Sequence, residues 1–360
     1  MDFSWLVARS AFADHLPLAA WAHRALCRAA VTHPHLTPLT QIADALRSAQ
    51  KIAIAAHVRP DGDAIGSVMG LALSLRAMGK TVHALLEDGV PVNLSFLPES
   101  RTILTPPYAD FEIDVAVALD TASHERLGQN TVAALARAPL LIDIDHHPSN
   151  PGYGQLNHID GVQPAVGQIV YELLRVGNFP ITDAVMQHLF TAISTDTGSF
   201  QYSSTTARTH QIAAEMMTAG LDTSRLAQLL YQTYPARRLL LMRAMLNEMA
   251  YRAEGRIVSW NLTQTLMAEA QMEPGDTEGL IDTLRMIDTV ISAVIFEELP
   301  DGKIRVSARS KDSRLDVSAV CAQFGGGGHR MAAGARMKGP IVQAADTYLN
   351  SLEHEVRRLA

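Results

Sequence analysis

Short apolar runs alternate with longer segments of helical period over the first 220 residues. The runs that predict buried strands lie at 51–57, 81–87, 113–120 and 139–145. The segments whose apolar residues recur at helical spacing lie at 36–49, 64–79, 164–176, 182–195 and 205–219. Alternating strands and helices are typical of a doubly wound, mainly parallel α/β sheet, which binds ligands outside the carboxyl ends of its strands. We predict this fold for the first part of the chain, with an amphipathic helix at 64–79.

The pattern changes after residue 220 and predicts a second, smaller α/β domain. Residues 221–255 indicate one or two long connecting helices. The elements expected beyond them are strands at 256–262, 289–299 and 303–310, a helix at 317–324, a glycine-rich loop at 325–337 and a last helix near 340–358. The predicted organisation is an N-terminal extension at 1–36, a first domain at 37–220, a helical connector at 221–252 and a second domain at 253–360.

The N-terminal extension does not fit a secretory signal. Its mildly apolar stretch, 16–30, is interrupted by His23, Arg24 and Arg28, and no early basic cluster precedes it. We expect this extension to form a helix packed on the rest of the chain or a poorly ordered tail.

Composition and charge narrow the classes of partner. The 360 residues carry a net charge of −7, so no global basic field favours long duplex nucleic acid. Cys27 and Cys321 are far apart and form no C-x-x-C pair, which makes a reducing cytoplasm the simplest compartment. No apolar run reaches the ~18 residues that a membrane span needs. We therefore expect a cytoplasmic protein that binds small anionic molecules rather than long duplexes or membranes, and a homodimer is compatible with these features.

Histidine and aspartate residues cluster where the predicted elements end. They lie in the segments HVRPDGD, VAVALD, IDIDHH and STDTGSF. The six candidate metal ligands are His57, Asp61, Asp63, Asp120, His146 and Asp196. All offer hard or borderline oxygen and nitrogen atoms, and none offers a thiolate. Such a set suits a pair of divalent ions, and paired ions suit phosphate-ester hydrolysis.

Each motif has a simpler explanation when it is taken alone. Asp63 could cap the helix at 64–79, with Asp61 as a turn residue. Asp120 could cap the segment after its strand, and Asp196 could belong to a helix C-terminal turn. Only the joint placement of all the motifs at one sheet edge favours metal binding over these alternatives.

The residues next to His146 are candidate catalytic groups. Asp145 could orient a metal ligand from behind, and His147 could donate to a phosphate or protonate a leaving group. Together with Asp120, these two residues form our predicted catalytic set.

A glycine-rich segment, GGGGHRMAAG at 325–334, is a second candidate site. Consecutive glycines let backbone N–H groups approach an anion closely, and nearby basic residues supply positive charge. The alternative is a flexible loop with a solvated basic face. The candidate substrate-binding residues are His147, Arg309, Ser310, Lys311, Gly326, Gly327, Gly328 and His329.

These motifs resemble, in the same order, the four motifs of the DHH phosphoesterase family. The GGGGH-x-x-AAG segment is similar to the DHH-associated domain that follows them, and the resemblance covers about residues 37–355. The pairing resembles the oligoribonuclease (nanoRNase) and 3′-phosphoadenosine 5′-phosphate (pAp) phosphatase branch. It implies a metal-binding catalytic domain, a substrate-binding second domain and an active site in the cleft between them.

The resemblance also implies roles for individual side chains. Two Mn²⁺ ions are expected, with Mg²⁺ or Co²⁺ as substitutes. The implied ligands are His57 and Asp61 for one ion, Asp63, His146 and Asp196 for the other, and Asp120 as the bridge between them. His147 would contact the scissile phosphate, and Arg309 and His329, with the glycines, would hold the far nucleotide. Val166, Gln168 and Ala308 depart from residues that relatives often carry, which bears on substrate preference.

The expected activity is Mn²⁺-dependent hydrolysis of short single-stranded RNA to nucleoside monophosphates and of pAp to AMP. One alternative is a phosphodiesterase for cyclic-di-AMP or linear pApA on the same scaffold. Another is a non-catalytic nucleotide sensor, which the complete ligand set disfavours because a sensor does not need all six groups.

Overall fold

The computed structural model describes residues 35–273, 275–277 and 279–359. The expectations for residues 1–34, including Cys27, lie outside these residues and stay predictions. The described chain contains two β-sheets with separate hydrophobic cores. Within it, no helix has both the length and the apolar character needed to cross a membrane.

The first sheet has five parallel strands. Their bounds are β1 Lys51–Ala55, β2 Thr81–Leu85, β3 Val115–Leu119, β4 Leu141–Asp145 and β5 Leu156–Ile159. Their order is β2-β1-β3-β4-β5, so the sheet grows outward in both directions from β1 and β3. This parallel sheet confirms the predicted α/β fold. Strand β5 was not predicted, because its four residues are mostly half-exposed and carry no apolar run.

Helices connect and cover the strands of the first sheet. Their bounds are α1 Leu39–Ser48, α2 Gly62–Ala77, α3 Gln129–Leu135, α4 Val166–Val176, α5 Asp183–Asp196 and α6 Ala207–Thr218. Short 3₁₀ turns lie at Val92–Leu94, Ser100–Thr102 and His124–Leu127. Each helix predicted for this region is present, and α3 is an additional short one.

Helix α2 is buried from Gly62 to Leu75, so the prediction that it is amphipathic is wrong. It packs against the sheet as well as against α4 and α5. Glycine permits the close approach of α5, because a Cβ atom at Gly66 would lie 2.4 Å from the carbonyl oxygen of His188. A helix that is covered on every side has no polar face for its sequence to reveal.

Gly66→Ala is expected to lower thermal stability, although alanine normally favours a helix over glycine by about 1 kcal/mol. The new methyl group would overlap the His188 carbonyl and the Ala192 side chain, and overpacking of this kind costs about 1–3 kcal/mol. Thermal unfolding in EDTA measures the change. Gly70→Ala is the control, because its methyl group would meet the movable Leu189 side chain. An unchanged or higher midpoint for Gly66→Ala would contradict this close packing.

The second sheet has six strands in the order β10-β11-β9-β8-β7-β6. Their bounds are β6 Ala250–Arg252, β7 Ile257–Leu262, β8 Ser292–Glu298, β9 Lys303–Ser310, β10 Gly327–His329 and β11 Ala332–Lys338. Strands β7 and β8 are parallel, and the other pairs are antiparallel. The helices of this half are α7 Thr223–Tyr231, α8 Ala236–Glu248, α9 Gln264–Glu269, α10 Leu280–Arg285, α11 Val317–Ala322 and α12 Ile341–Arg357. The predicted connector thus consists of two helices.

The glycine-rich segment at 325–337 is a β-hairpin, so its prediction as a loop is wrong. Gly328 pairs with Ala333 across the hairpin, and β11 pairs in turn with β9. At Gly326 a Cβ atom would lie 2.2 Å from the Gly334 carbonyl oxygen. The glycines therefore allow close strand pairing, and their low strand propensity concealed the strands in the sequence.

Candidate metal centre and active-site cleft

The loops after β1, β3 and β4, the first turn of α2 and the last residue of α5 bring the predicted metal-binding side chains together at the carboxyl edge of the first sheet. His57 follows β1, Asp120 follows β3 and His146 follows β4. The six predicted residues form two groups, each with its ligand atoms within 4.8 Å of one another: His57, Asp61 and Asp120, and Asp63, His146 and Asp196.

The first group is centred on the Nε2 atom of His57. This atom lies 3.7 Å from Asp61 Oδ2 and 3.5 Å from Asp120 Oδ2. The other ring nitrogen, Nδ1, lies 2.9 Å from the Val58 carbonyl oxygen. A ring whose Nδ1–H donates to a carbonyl presents Nε2 as the acceptor, which is the usual arrangement of a metal-ligating histidine.

The second group repeats this arrangement around His146. Its Nε2 atom lies 3.4 Å from Asp196 Oδ2 and 3.5 Å from Asp120 Oδ1. Its Nδ1 atom lies 3.2 Å from the carbonyl oxygen of Gln163. Both buried histidines therefore turn the same nitrogen toward carboxylate oxygens, with the ring orientation fixed from behind.

Asp120 lies between the two groups and gives one carboxylate oxygen to each. Oδ2 faces His57 and Oδ1 faces His146, both at 3.5 Å. Its backbone has a φ of 52°, a left-handed conformation that is uncommon outside glycine and tolerated best by Asp and Asn. Its N–H donates to the Ile144 carbonyl at 3.1 Å, which holds this conformation. The backbone strain coincides with the position of a bridging ligand.

Asp61 is both a helix cap and a member of the first group. Its Oδ1 accepts hydrogen bonds from the N–H groups of Asp63 and Ala64, both at 3.1 Å. Its Oδ2 faces His57. The capping alternative assigned the cap to Asp63, and the structure assigns it to Asp61. Capping and ligation are therefore not exclusive here, because the two functions use different oxygens.

Asp63 is fully buried and joins α2 to the start of α4. Its Oδ1 accepts from Ser67 Oγ at 2.9 Å and from the Gly167 N–H at 2.8 Å. Its Oδ2 accepts from the Val166 N–H at 2.7 Å. These donors include two backbone groups that a helix leaves without intrahelical partners at its N-terminus. The side chain thus supports the fold as well as the site.

A chain of hydrogen bonds orients His147. Asp145 Oδ1 lies 2.8 Å from His147 Nδ1 and also accepts from the His146 N–H at 2.8 Å. Asp145 Oδ2 accepts from Asn150 Nδ2 at 2.8 Å. Because Nδ1 is engaged by Asp145, Nε2 is the nitrogen of His147 that remains for a ligand. Asn150 was not singled out in the sequence, where the Asn of DHHPSN resembles an ordinary turn residue.

The electrostatics of the site favour added positive charge. Burial alone would lower the pKa of His57, but Asp120 and Asp61 raise it to about 10. Burial alone would raise the pKa of Asp120, but His146 and His57 hold it well below its usual range. Burial raises the pKa of Asp196 to about 7. The carboxylates thus draw protons to this position, and a divalent cation would supply the same positive charge.

The hairpin of the second domain reaches the first domain at the histidines. The ring of His329 stacks on His147, with centroids 4.9 Å apart and an interplanar angle of 25°, and lies 5.6 Å from His146. Burial, and to a smaller extent the neighbouring His147 and His146, lower the pKa of His329 to about 4. Around this contact lies a cleft of about 2670 Å³ lined by both domains.

The predicted substrate-binding residues divide into two sets. Lining the cleft beside His329 are Arg309, Gly326, Gly327 and Gly328. Ser310 is fully buried, and its hydroxyl lies 3.2 Å from the Ile291 carbonyl oxygen and 3.0 Å from the Asp312 carbonyl oxygen, which share its one hydrogen. The Lys311 ammonium donates to the Ile287 and Asp288 carbonyls. Both of these side chains therefore contact backbone in the second domain, although they border the cleft.

A two-domain cleft with this donor set defines a metal-dependent hydrolase of phosphate esters. Comparison with protein families agrees with the class, because residues 51–193 match the N-terminal domain of the DHH family and residues 261–358 match the DHHA1 domain. The chain belongs to the DHH phosphoesterase family, and its first domain is followed by a DHHA1 domain.

Individual relatives match most of the chain. The bifunctional oligoribonuclease and PAP phosphatase NrnA of Thermus thermophilus is 31% identical over 319 residues, which are 88% of this chain and 94% of the relative. NrnA of Bacillus subtilis is 28% identical, with 78% of this chain and 87% of the relative covered. The crystal structure of an exopolyphosphatase-related protein from Bacteroides fragilis matches with a TM-score of 0.80 and 28% identity, over 88% of this chain and 95% of that one.

Proposed function

We propose that this protein hydrolyses short RNA oligonucleotides to nucleoside monophosphates and pAp to AMP, in the cytoplasm. The observation that carries the proposal is the pair of histidine–aspartate groups at the edge of the first sheet. The β10–β11 hairpin, with His329, faces these groups within one cleft. The named activities of the two NrnA relatives support this choice of substrates. A cleft that is closed by a second domain suits short chains better than long duplexes.

The donor set fits a pair of divalent cations. His57, Asp61 and Asp120 would hold one ion, Asp63, His146 and Asp196 would hold the other, and Asp120 would contact both. Mixed carboxylate and imidazole ligands suit Mn²⁺, with Mg²⁺ or Co²⁺ as substitutes. When bound, such ions would lower the pKa of water and neutralise charge on the phosphoryl oxygens. The fixed Nδ1 contacts of His57 and His146 support this assignment.

The protein's own groups would bind and orient the phosphate. His147 would use Nε2 to donate to a phosphoryl oxygen or to the leaving oxygen, since Asp145 engages its Nδ1. His329 packs against His147 and would cover the reacting group from the second domain. Arg309 and the backbone N–H groups of the hairpin would hold the far part of the nucleotide.

A substrate panel tests the proposal directly. Purified protein with Mn²⁺ is expected to hydrolyse RNAs of two to five nucleotides and pAp, and to lose this activity in EDTA. Linear pApA and cyclic-di-AMP are the competing substrates in the same assay. Preferential cleavage of cyclic-di-AMP would establish the phosphodiesterase alternative. Nucleotide binding without hydrolysis of any substrate would favour the sensor alternative.

Asp145→Asn is expected to lower kcat by about 10²–10⁴-fold with little change in KM. Both oxygens of Asp145 accept N–H donors, so an amide must place its NH₂ against His147, His146 or Asn150. Steady-state kinetics on pAp measure the change. Asp143→Asn is the matched control, because Asp143 also contacts Asn150 and burial raises its pKa to about 7. An equal loss in both variants would show that the shared network, and not the orientation of His147, matters.

A further inference from the structure

One face of the second sheet lines the cleft with arginines at both ends. Alternate residues of β9, namely Arg305, Ser307 and Arg309, border the cleft. Arg309 lies opposite Ala332, at the start of β11 next to the hairpin turn. Arg305 lies four residues before Arg309 on β9 and opposite Arg336 of β11. Four residues of extended strand span about 13 Å at ~3.3 Å per residue. The Arg305 end is therefore a separate position from the Arg309 end.

Arg305 and Arg336 form a like-charged pair directly across two strands. Such pairs destabilise a sheet unless an anion compensates them. Glu297 of β8 lies opposite Arg305 and forms an ion pair with it. Asp301, near the same end, pairs with Lys303 at 3.1 Å. The Nε atom of Arg305 is buried and has no hydrogen-bond partner within the described residues.

Two arginines of the first domain complete the group. Arg59 and Arg126 border the same cleft, and the loops that carry them are joined by a 2.7 Å hydrogen bond from the Val58 N–H to the Arg126 carbonyl. Arg59 has a φ of 54°, and its N–H donates to Asp88 at 2.6 Å, which fixes its position. Burial lowers the pKa of the Arg59 guanidinium, and the charges of the three other arginines lower it further.

These four residues, Arg59, Arg126, Arg305 and Arg336, are called the arginine cluster below. Three carboxylates lie near these four positive charges: Glu297 pairs with Arg305, Asp301 pairs with Lys303, and Asp88 accepts a hydrogen bond from the Arg59 N–H. Within the part of the chain that the structure describes, no ion pair is formed by Arg59, Arg126 or Arg336. Guanidinium groups from two domains that converge without enough carboxylates match the geometry and charge of a phosphate.

We infer that the arginine cluster binds a non-scissile phosphate group of the substrate and holds the two domains around it. The inference rests on the proposed function for the identity of the substrate. It adds a second phosphate position to the one beside Arg309. It also explains why a protein with a net charge of −7 retains this group of arginines at the border between its domains.

The test compares substrates that differ by one non-scissile phosphate. The pairs are pAp with 3′-AMP, and pApA with ApA. The preference for the additional phosphate is the ratio of the two kcat/KM values within a pair. In the double variant Arg126→Gln/Arg336→Gln, this ratio is expected to fall by at least about tenfold for one pair or both. Hydrolysis of 3′-AMP and ApA is expected to change much less. The control is Arg357→Gln/Arg358→Gln, which makes the same charge change on the last helix and leaves the preference unaltered.

The outcomes separate this inference from the proposed function. An unchanged preference in both pairs overturns the arginine cluster as a phosphate site while hydrolysis itself continues. If the wild-type protein hydrolyses none of the four nucleotides, the proposed function fails, and calorimetric titration of the same nucleotides in Mn²⁺ still tests the cluster. Equal affinities within both pairs would then overturn the inference. Tighter wild-type binding of pAp or pApA that the double variant loses would support it.

Discussion

Asp120→Asn is expected to reduce hydrolysis of pAp and short RNA by at least about 10³-fold. Asp120 is the one side chain of the described site that faces both groups, with Oδ2 toward His57 and Oδ1 toward His146. An amide replaces one of these acceptors by a donor and removes the negative charge between the two proposed cation positions. Interactions that stabilise charge in a phosphoryl transition state are worth several kcal/mol.

Thermal unfolding gives Asp120→Asn a second readout that does not depend on turnover. Asparagine tolerates the left-handed backbone at this position, so the fold is expected to be kept, and the midpoint in EDTA should fall only because the charged contacts with His57 and His146 are lost. The increase in midpoint on adding Mn²⁺ is expected to shrink, because a ligand stabilises in proportion to RT ln(1 + [L]/Kd). Glu125→Gln, in the exposed turn that follows, is the control and should keep both activity and the Mn²⁺ effect. Retained hydrolysis in Asp120→Asn would exclude a bridging role.

Asp63→Ala is expected to abolish activity and also to destabilise the first domain in EDTA by about 3 kcal/mol or more. Its carboxylate accepts from Val166 N–H, Gly167 N–H and Ser67 Oγ in a fully buried position. Each buried donor left without an acceptor costs about 1–3 kcal/mol. For a domain of this size, 3 kcal/mol corresponds to a decrease of roughly 6–12 °C in the unfolding midpoint.

The comparison with Asp120→Asn distinguishes the two contributions of Asp63. Both variants should lose hydrolysis, but Asp63→Ala should lose more stability than Asp120→Asn when no cation is present. Ser67→Ala, which removes one of the three donors and no candidate ligand, is the control and should cost about 1 kcal/mol. An unchanged EDTA midpoint for Asp63→Ala would contradict its role in holding the start of α4.

The sequence was informative about the first sheet because its strands are buried apolar runs. Four of the five strands and all the helices around them except the short α3 were predicted, since β1, β3 and β4 are each almost wholly buried. Strand β5 and the β10–β11 hairpin were not predicted, because half-exposed and glycine-rich strands carry little local signal. The amphipathic prediction for α2 was wrong because its burial comes from α4 and α5, which follow much later in the chain.

The chain's own residue types and their order were enough to indicate the family and the chemistry. Six oxygen and nitrogen ligands at the ends of predicted elements pointed to divalent cations and phosphate esters, and the glycine-rich segment pointed to a small anionic substrate. These inferences depend on what side chains can bind, which is a property of the sequence alone. The assignment of each ligand to one ion stays a proposal.

Only the tertiary structure decided which atoms face one another. In the structure Asp120 lies between His57 and His146, and the Nε2 atoms of both rings face its carboxylate. The residue that caps α2 is Asp61, whereas the sequence was also compatible with a cap at Asp63. The tertiary structure also brought together the arginine cluster from four separate segments, as strand register and domain packing dictate. The contacts of Asp120 join residues far apart in the chain, so no local pattern encodes them, and the arginine cluster arises only when both domains have packed.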